Sequence, residues 1–174
     1  MAILAQVREF FNQEWEKATP QIHEIFEGHF PTVLKYAKQL TKQRNADKEL
    51  VEISVWLHDI SSIRGEYENH HIKGAKIAED LLTTLNYPKE KIEQVKHSIL
   101  NHRGSFPGKI ETKEAQILVD ADAMAHFDKI KPLFNAYKTK EKVLKKLERS
   151  YNKLSKDAKL LVKNKLEKAR IDLK

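Results

Sequence analysis

Cysteine is absent from the 174 residues, which excludes disulfide bonds and thiolate metal ligands and favours a cytoplasmic location. Long apolar runs are also missing, since no stretch approaches the roughly 20 residues that a membrane-spanning helix needs. The first residues, 1–18, resemble an amphipathic helix and not a secretion signal, because acids and amides interrupt their apolar positions. With 40% hydrophobic residues, the sequence predicts a soluble cytoplasmic protein with its own apolar core.

Glycine and proline are scarce, with five residues each, and no alternating pattern typical of β-strands stands out. Apolar residues instead recur at helical spacing. They predict helices over about 2–18, 29–43, 46–60, 70–85, 88–102 and 112–127, a short helix after Pro132, and two more helices in the last part of the chain. The predicted N-caps are Asn45, Asn69, Thr112 and Ser155. The sequence therefore predicts an all-α fold, with loops at 61–69 and across RGSFPGKIE.

Positive charge is concentrated in the last part of the chain. Residues 138–174 contain 14 Lys/Arg and 5 Asp/Glu, whereas residues 1–137 contain 18 Lys/Arg and 20 Asp/Glu. Two apolar stripes predict that 138–174 form a helical hairpin, packed on the body or on a partner, which includes a second copy of the chain. Its lysines favour a solvated helix face, with nucleic acid as the alternative partner. We expect this charge to say nothing about what residues 1–137, the predicted functional domain, bind.

An imidazole and a carboxylate stand side by side in the apolar stretch VEISVWLHDI. His58 and Asp59 fall where the helical pattern predicts the interior of the protein. A buried carboxylate is costly unless a cation or strong donors compensate it, and a divalent metal ion is the strongest such partner. The two side chains diverge by about 100° on a regular helix, but both can reach an ion beside that edge. A hydrogen bond that ties two helices together is the alternative explanation.

Two further segments place histidine at the start of a predicted helix. In GHFPTVLKYA, His29 lies at the N-terminal end. In NHHIKGAKIA, His70 and His71 precede a pair of small residues, Gly74 and Ala75, that allows close helix packing. Both segments can therefore present an imidazole to the same pocket.

Two more segments carry paired candidates. VKHSILNHRG places His97 and His102 five residues apart, about 140° on a helix, so both face one pocket only if the helix ends near His102. Gly104 favours such an end. In LVDADAM, Asp120 and Asp122 lie on roughly opposite sides of a helix, so we expect only one of them to face an ion.

These five segments, in this order between about residues 25 and 130, resemble the HD-domain superfamily of metal-dependent phosphohydrolases. The resemblance implies a helical bundle in which four residues bind the principal metal ion: His29, His58, Asp59 and Asp122. Asp122 is preferred to Asp120 because the ligand of this family directly follows an alanine, here Ala121.

Some members of that superfamily hold a second ion through intermediate histidines. The matching positions are His70 or His71, His97 and His102, with Asp59 bridging the two ions. The remaining histidines, His23 and His126, have no counterpart in the pattern, and we expect them to be structural or exposed.

Nitrogen and oxygen ligands without sulfur suit Mn²⁺, Fe²⁺, Co²⁺, Ni²⁺, Zn²⁺ or Mg²⁺. The resemblance implies that such an ion activates water for the hydrolysis of a phosphate ester or nucleotide. Asp59 would orient the nucleophile, and three cations are candidate clamps for the phosphoryl oxygens: Arg64, Lys73 and Arg103. Weaker candidates in the loops are Glu66 and Glu68 as general acids, and Tyr67 and Phe106 as flanking aromatics.

Two other functions fit the same residues. One is a non-catalytic HD module that binds a ligand, or a nucleic acid through the basic hairpin. The other is oxygenase chemistry at a di-iron centre, which rare members of the superfamily perform with a similar ligand set. Salt dependence of binding would indicate the first function, and oxygen consumption the second.

Overall fold

The structure, a computed structural model, describes residues 2–103 and 109–173, and every regular element among them is a helix. The helices are α1 (Ile3–Lys17), α2 (Pro20–Ile25), α3 (His29–Arg44), α4 (Lys48–Leu57), α5 (Ile60–Ile63), α6 (His70–Thr84), α7 (Lys89–Asn101), α8 (Lys113–Asp128), α9 (Ile130–Tyr137), α10 (Lys140–Lys153) and α11 (Lys156–Asp172). The all-α prediction is confirmed. Two residues used in the sequence predictions, Gly104 and Phe106, lie outside the described residues.

Helix caps explain where the predicted boundaries hold and where they fail. Thr112 caps α8 as predicted, since its hydroxyl accepts the N–H three residues further on at 3.1 Å. The prediction that Asn45 begins the next helix is wrong. Asn45 ends α3 in the left-handed conformation that asparagine tolerates, and Asp47 caps α4. Asn69 and Ser155 precede α6 and α11 as predicted, but neither side chain caps its helix.

Helix α8 runs through the centre of the bundle. It contacts α3, α4, α7, α10 and α11, and its side chains are buried on nearly every side. Ala121, Ala123 and Ala125 are fully buried, and their small side chains let the neighbouring helices approach closely. Because packing holds this helix from all sides, the polar side chains that it carries have fixed positions.

The C-terminal hairpin, α10 and α11, shares its core with the body of the chain. Val143 and Leu147 of α10 and Val162 of α11 lie in one apolar cluster with residues of α3 and α8. Burial of each such side chain contributes about 1.5–3 kcal/mol, so several of them fix the hairpin firmly. Both predicted apolar stripes thus contribute side chains to the core that they share with α3 and α8.

Among the described residues, no helix combines the length and the apolar content that crossing a membrane demands.

Candidate metal centre

Four histidines lie at helix ends that meet at one point of the bundle. His29 and His70 are the first residues of α3 and α6, whereas His58 and His102 directly follow α4 and α7. Helix α6 packs closely against the end of α4 at Gly74, where a Cβ would just reach van der Waals contact with the carbonyl oxygen of His58, at 3.4 Å. The sequence thus collects imidazoles from four separate helices.

A break between α4 and α5 aims His58 and Asp59 at the same point. Helix α4 ends at Leu57, and Asp59 has φ −112° and ψ 19°, outside the helical region. The two side chains therefore do not keep the divergence of a regular helix, and His58 Nε2 lies 3.3 Å from Asp59 Oδ2. The buried Phe30 ring packs beside His58, with 5.4 Å between the ring centroids.

The two carboxylate oxygens of Asp59 face two different pairs of histidines. Oδ2 lies 3.3 Å from His58 Nε2 and 3.8 Å from His29 Nε2. Oδ1 lies 3.5 Å from His70 Nε2 and 3.7 Å from His102 Nε2. The ligand atoms within each set, Asp59 included, lie within 4.8 Å of one another. This geometry can hold one ion on each side of Asp59, with the carboxylate between them.

The hydrogen bonds of the histidine rings fit a cation at this point. Three of the rings place Nδ1 against a backbone carbonyl oxygen three residues earlier, at 2.7 Å for His58, 3.1 Å for His70 and 2.6 Å for His102. Since a carbonyl oxygen only accepts, Nδ1 holds the proton and each neutral ring presents the lone pair of Nε2. The Nε2 atoms of His70 and His102 lie 3.3 Å apart. Two facing lone pairs form no hydrogen bond, but both can bind one metal ion.

The electrostatics of the cluster also favour a cation. Burial alone would raise the pKa of Asp59, yet the imidazoles of His58 and His102 outweigh it and hold this pKa well below the ordinary value. Burial lowers the pKa of His29 to about 4, which keeps that ring neutral. Burial would also lower the pKa of His58, but Asp59 raises it above its usual value. The buried carboxylate thus attracts positive charge, either a proton on His58 or a metal ion.

The two aspartates of LVDADAM have different neighbours. Asp122 Oδ1 lies 3.6 Å from His29 Nε2, beside the cluster. Asp120 points the other way and is fully buried. It accepts hydrogen bonds from Arg44 at 2.7 Å and from the backbone N–H of Ser155 at 2.9 Å. Of the two, only Asp122 faces the histidines, and Asp120 attaches the α10–α11 turn to the bundle.

The structure leaves two of the candidate histidines outside the cluster. His71 is buried beside His70, but its ring is not among those that converge on Asp59. His97 Nε2 accepts the backbone N–H of Glu111 at 3.1 Å. Because α7 continues through Asn101, His97 and His102 keep their helical divergence. The second set of converging ligand atoms therefore comes from Asp59, His70 and His102.

Of the three candidate clamp residues, one borders the cavity at the cluster and two do not. Arg64 donates to Glu14 of α1 at 2.5 Å, and exposed Lys73 pairs with exposed Glu66 at 2.7 Å. Neither cation borders the cavity at the cluster, whereas Arg103 and Tyr67 do. Glu68 is exposed at the surface.

A cavity of about 360 Å³ opens from the cluster, and part of its wall comes from residues that the sequence did not mark as functional. They include His126, Lys129, Tyr137, Lys146 and Lys153. Two of them, Lys146 and Lys153, belong to α10, so the hairpin contributes positive charge to the cavity that Asp59 borders. Helical spacing could have found them: His126 is four residues after Asp122, and Lys146 and Lys153 are seven apart, so each pair shares a helix face.

Three of these wall residues, His126, Lys146 and Lys153, lie near one another and are half-buried. Lys153 Nζ donates to Asp122 Oδ2 and to the carbonyl oxygen of His102, at 3.1 Å each. Burial lowers the pKa of Lys146 to about 8. Burial, helped by Lys146, also holds the pKa of His126 well below its ordinary value. The expectation that His126 is structural or exposed stays a prediction; the ring is half-buried and borders the cavity.

Comparison with known proteins identifies a family, and solved structures with a similar fold include two described below. A family model described as HD domain matches residues 26–126. A crystal structure of a protein from Lactobacillus plantarum is similar, with a TM-score of 0.76 and 15% identity over 98% of this chain and 93% of that one. The crystal structure of a predicted HD superfamily hydrolase from an uncultured Thermotogales bacterium is also similar, with a TM-score of 0.55 and 23% identity over 83% of this chain and 84% of that one. At these identities the two structures show the fold alone. No curated protein matches.

Proposed function

The chain belongs to the HD domain family, and from this premise we propose that it is a metal-dependent phosphohydrolase, which hydrolyses a phosphate ester or nucleotide. One observation supports the proposal most directly. Asp59 stands between two pairs of imidazoles, its two oxygens each facing one pair at 3.3–3.8 Å. Two metal ions that share a carboxylate are a known arrangement for displacement at phosphorus.

We assign the principal ion to four residues: His29, His58, Asp59 and Asp122. His70, His102 and Asp59 would hold a second ion. A divalent cation bound here supplies an activated water as nucleophile and polarises a phosphoryl oxygen. The carbonyl bonds to Nδ1 of His58, His70 and His102 orient the rings, which is the usual contribution of groups behind metal ligands.

The cations of the cavity wall hold the phosphoryl group of the substrate. Arg103, Lys129 and Lys146 border the same space as Asp59, so their charge lies where negative charge develops on the phosphoryl oxygens. Lys153 orients Asp122 through its 3.1 Å ion pair. Tyr67, also at this wall, can stack on a base if the ester is a nucleotide.

The test is hydrolysis of a panel of nucleotides and sugar phosphates by the purified protein, in Mn²⁺, Co²⁺ or Mg²⁺. We expect phosphate or pyrophosphate release that requires the metal, and its loss in the His58→Ala, Asp59→Ala double variant. His23→Ala is the matched control, because that ring lies outside the cluster and bonds the carbonyl oxygen of Trp15 at 2.9 Å. Equal activity in the double variant would refute the proposal, as would oxygen consumption without any hydrolysis.

A further inference from the structure

A second cavity, of about 590 Å³, adjoins the one at the metal centre. Arg103, Tyr137, Lys146 and Lys153 line both cavities, so the two are neighbouring compartments of one cleft along α10. Arg149 lines only the second compartment, and Lys129 only the first. The first is already assigned to a phosphoryl group at the metal centre.

The second compartment is strongly positive. Arg103, Lys146, Arg149 and Lys153 contribute four cations to its wall, and none of its described lining residues is acidic. The first compartment differs, because it includes Asp59 and Asp122. Space bounded by cations alone raises the local concentration of anions.

Most of these cations have no acidic partner. Among the residues that the structure describes, Lys153 pairs with Asp122, whereas Arg103, Lys146 and Arg149 enter no ion pair within 4 Å. Elsewhere in the hairpin, cations at the body are paired, as Lys165 is with Asp128. A cation that is removed from water without a partner costs free energy, which a bound anion recovers. Lys146 is partly in this position, because its side chain is half-buried at the cavity wall.

We propose that the second compartment binds a second phosphoryl group of the substrate, so that the substrate carries at least two linked phosphates. Arg149, which lines the second compartment and not the first, is its specificity-determining residue, and Lys146, which lines both, contributes to each phosphoryl site. The identity of the first group, at the metal centre, rests on the proposed function. A monophosphate fills only the first compartment, whereas a chain of phosphates reaches the unpaired cations of α10.

The test compares the binding of orthophosphate and tripolyphosphate by calorimetry, with protein as purified and with chelator-treated protein. We expect tripolyphosphate to bind more tightly than orthophosphate. Arg149→Met should weaken the binding of tripolyphosphate about 10-fold, which is the contribution of one charge-assisted contact. It should change the affinity for orthophosphate less than about 2-fold. Lys146→Met should weaken tripolyphosphate at least as much. Lys168→Met, which removes the same charge from an exposed position on α11, should change neither.

The outcomes separate this inference from the proposed function. An equal loss for both anions in Arg149→Met, no loss in either arginine or lysine variant, or the same loss in Lys168→Met would overturn the second subsite. Selective weakening of tripolyphosphate binding in a protein that hydrolyses no substrate of the panel would support the second subsite and refute the proposed phosphohydrolase activity. Arg149 is exposed, so its variant should fold even if Lys146→Met does not.

Discussion

The helices that carry the histidines and the hairpin that carries the lysines line the same cleft with opposite kinds of group. The bundle supplies imidazoles and carboxylates, which helix ends and the break after Leu57 aim at one point. The hairpin supplies ammonium groups from one face of a regular helix, α10. The candidate metal centre thus depends on local backbone turns, whereas the positive wall depends on the docking of a whole helix.

The largest expected effect comes from the bundle side. His102→Ala should lower metal-dependent activity at least about 100-fold, because even groups behind metal ligands contribute 10–100-fold. The metal content should also fall by one ion per chain. His97→Ala, on the same helix but outside the cluster, should keep the metal content and most of the activity. Elemental analysis and initial rates check both variants, and a similar loss in the two would mean that His97 is a ligand.

The attachment of the hairpin gives the next effect. Asp120→Ala should lower the free energy of unfolding by about 3–5 kcal/mol, because it removes a buried partner of Arg44 and of the α10–α11 turn. Asp157 also pairs with Arg44, but the Asp157 side chain is 54% exposed. Asp157→Ala should therefore lower the free energy of unfolding by less than about 1 kcal/mol. Urea denaturation measures both. Equal small losses would show that the turn is not held by Asp120.

The shared core predicts a comparable loss on the hairpin side. Leu147→Ala should cost about 2–5 kcal/mol, since this leucine is fully buried within the cluster that joins α10 to α3 and α8. Leu160→Ala should be nearly neutral, because that side chain is 77% exposed. A single cooperative transition is expected for both variants. A separate early transition for Leu147→Ala would mean that the hairpin unfolds as its own unit.

The smallest effect is a pH dependence at the contact between α8 and α11. Burial would raise the pKa of Asp128, but Lys165 and Tyr36 outweigh it and hold this pKa below the ordinary value. A depressed pKa in the folded state means that the carboxylate stabilises the fold at neutral pH and loses this contribution as the pH falls through that pKa. Asp128→Asn should therefore cost less than about 1 kcal/mol at pH 7. Its difference from the wild type should shrink as the pH falls below the ordinary pKa of an aspartate, and parallel stability curves would contradict this.

The sequence predicted the helices well because periodicity and caps are local. Five predicted helices, those that begin at 2, 29, 70, 88 and 112, begin and end within one residue of the observed bounds. The break at Asp59 was not predicted, since it has no glycine or proline to mark it. Asn45 was assigned to the wrong helix end because asparagine suits both an N-cap and a left-handed C-terminus.

The candidate site was predictable where its residues share a recognisable motif. The choice between His70 and His71 needed the actual start of α6, and the exclusion of His97 needed the actual end of α7. Lys146 and Lys153 lie more than twenty residues beyond the last motif, in a segment whose lysines look alike. Only the docking of α10 against α8 distinguishes the lysines of the cleft from those in solvent.

The ion pair between Lys153 and Asp122 spans the boundary between these two regions. A protein engineer who wished to change substrate selectivity could therefore graft a different hairpin onto the same histidine scaffold. Such a graft would need a residue at position 153 that can donate a hydrogen bond to Asp122. Without it, the Asp122 side chain would be free to turn away from His29.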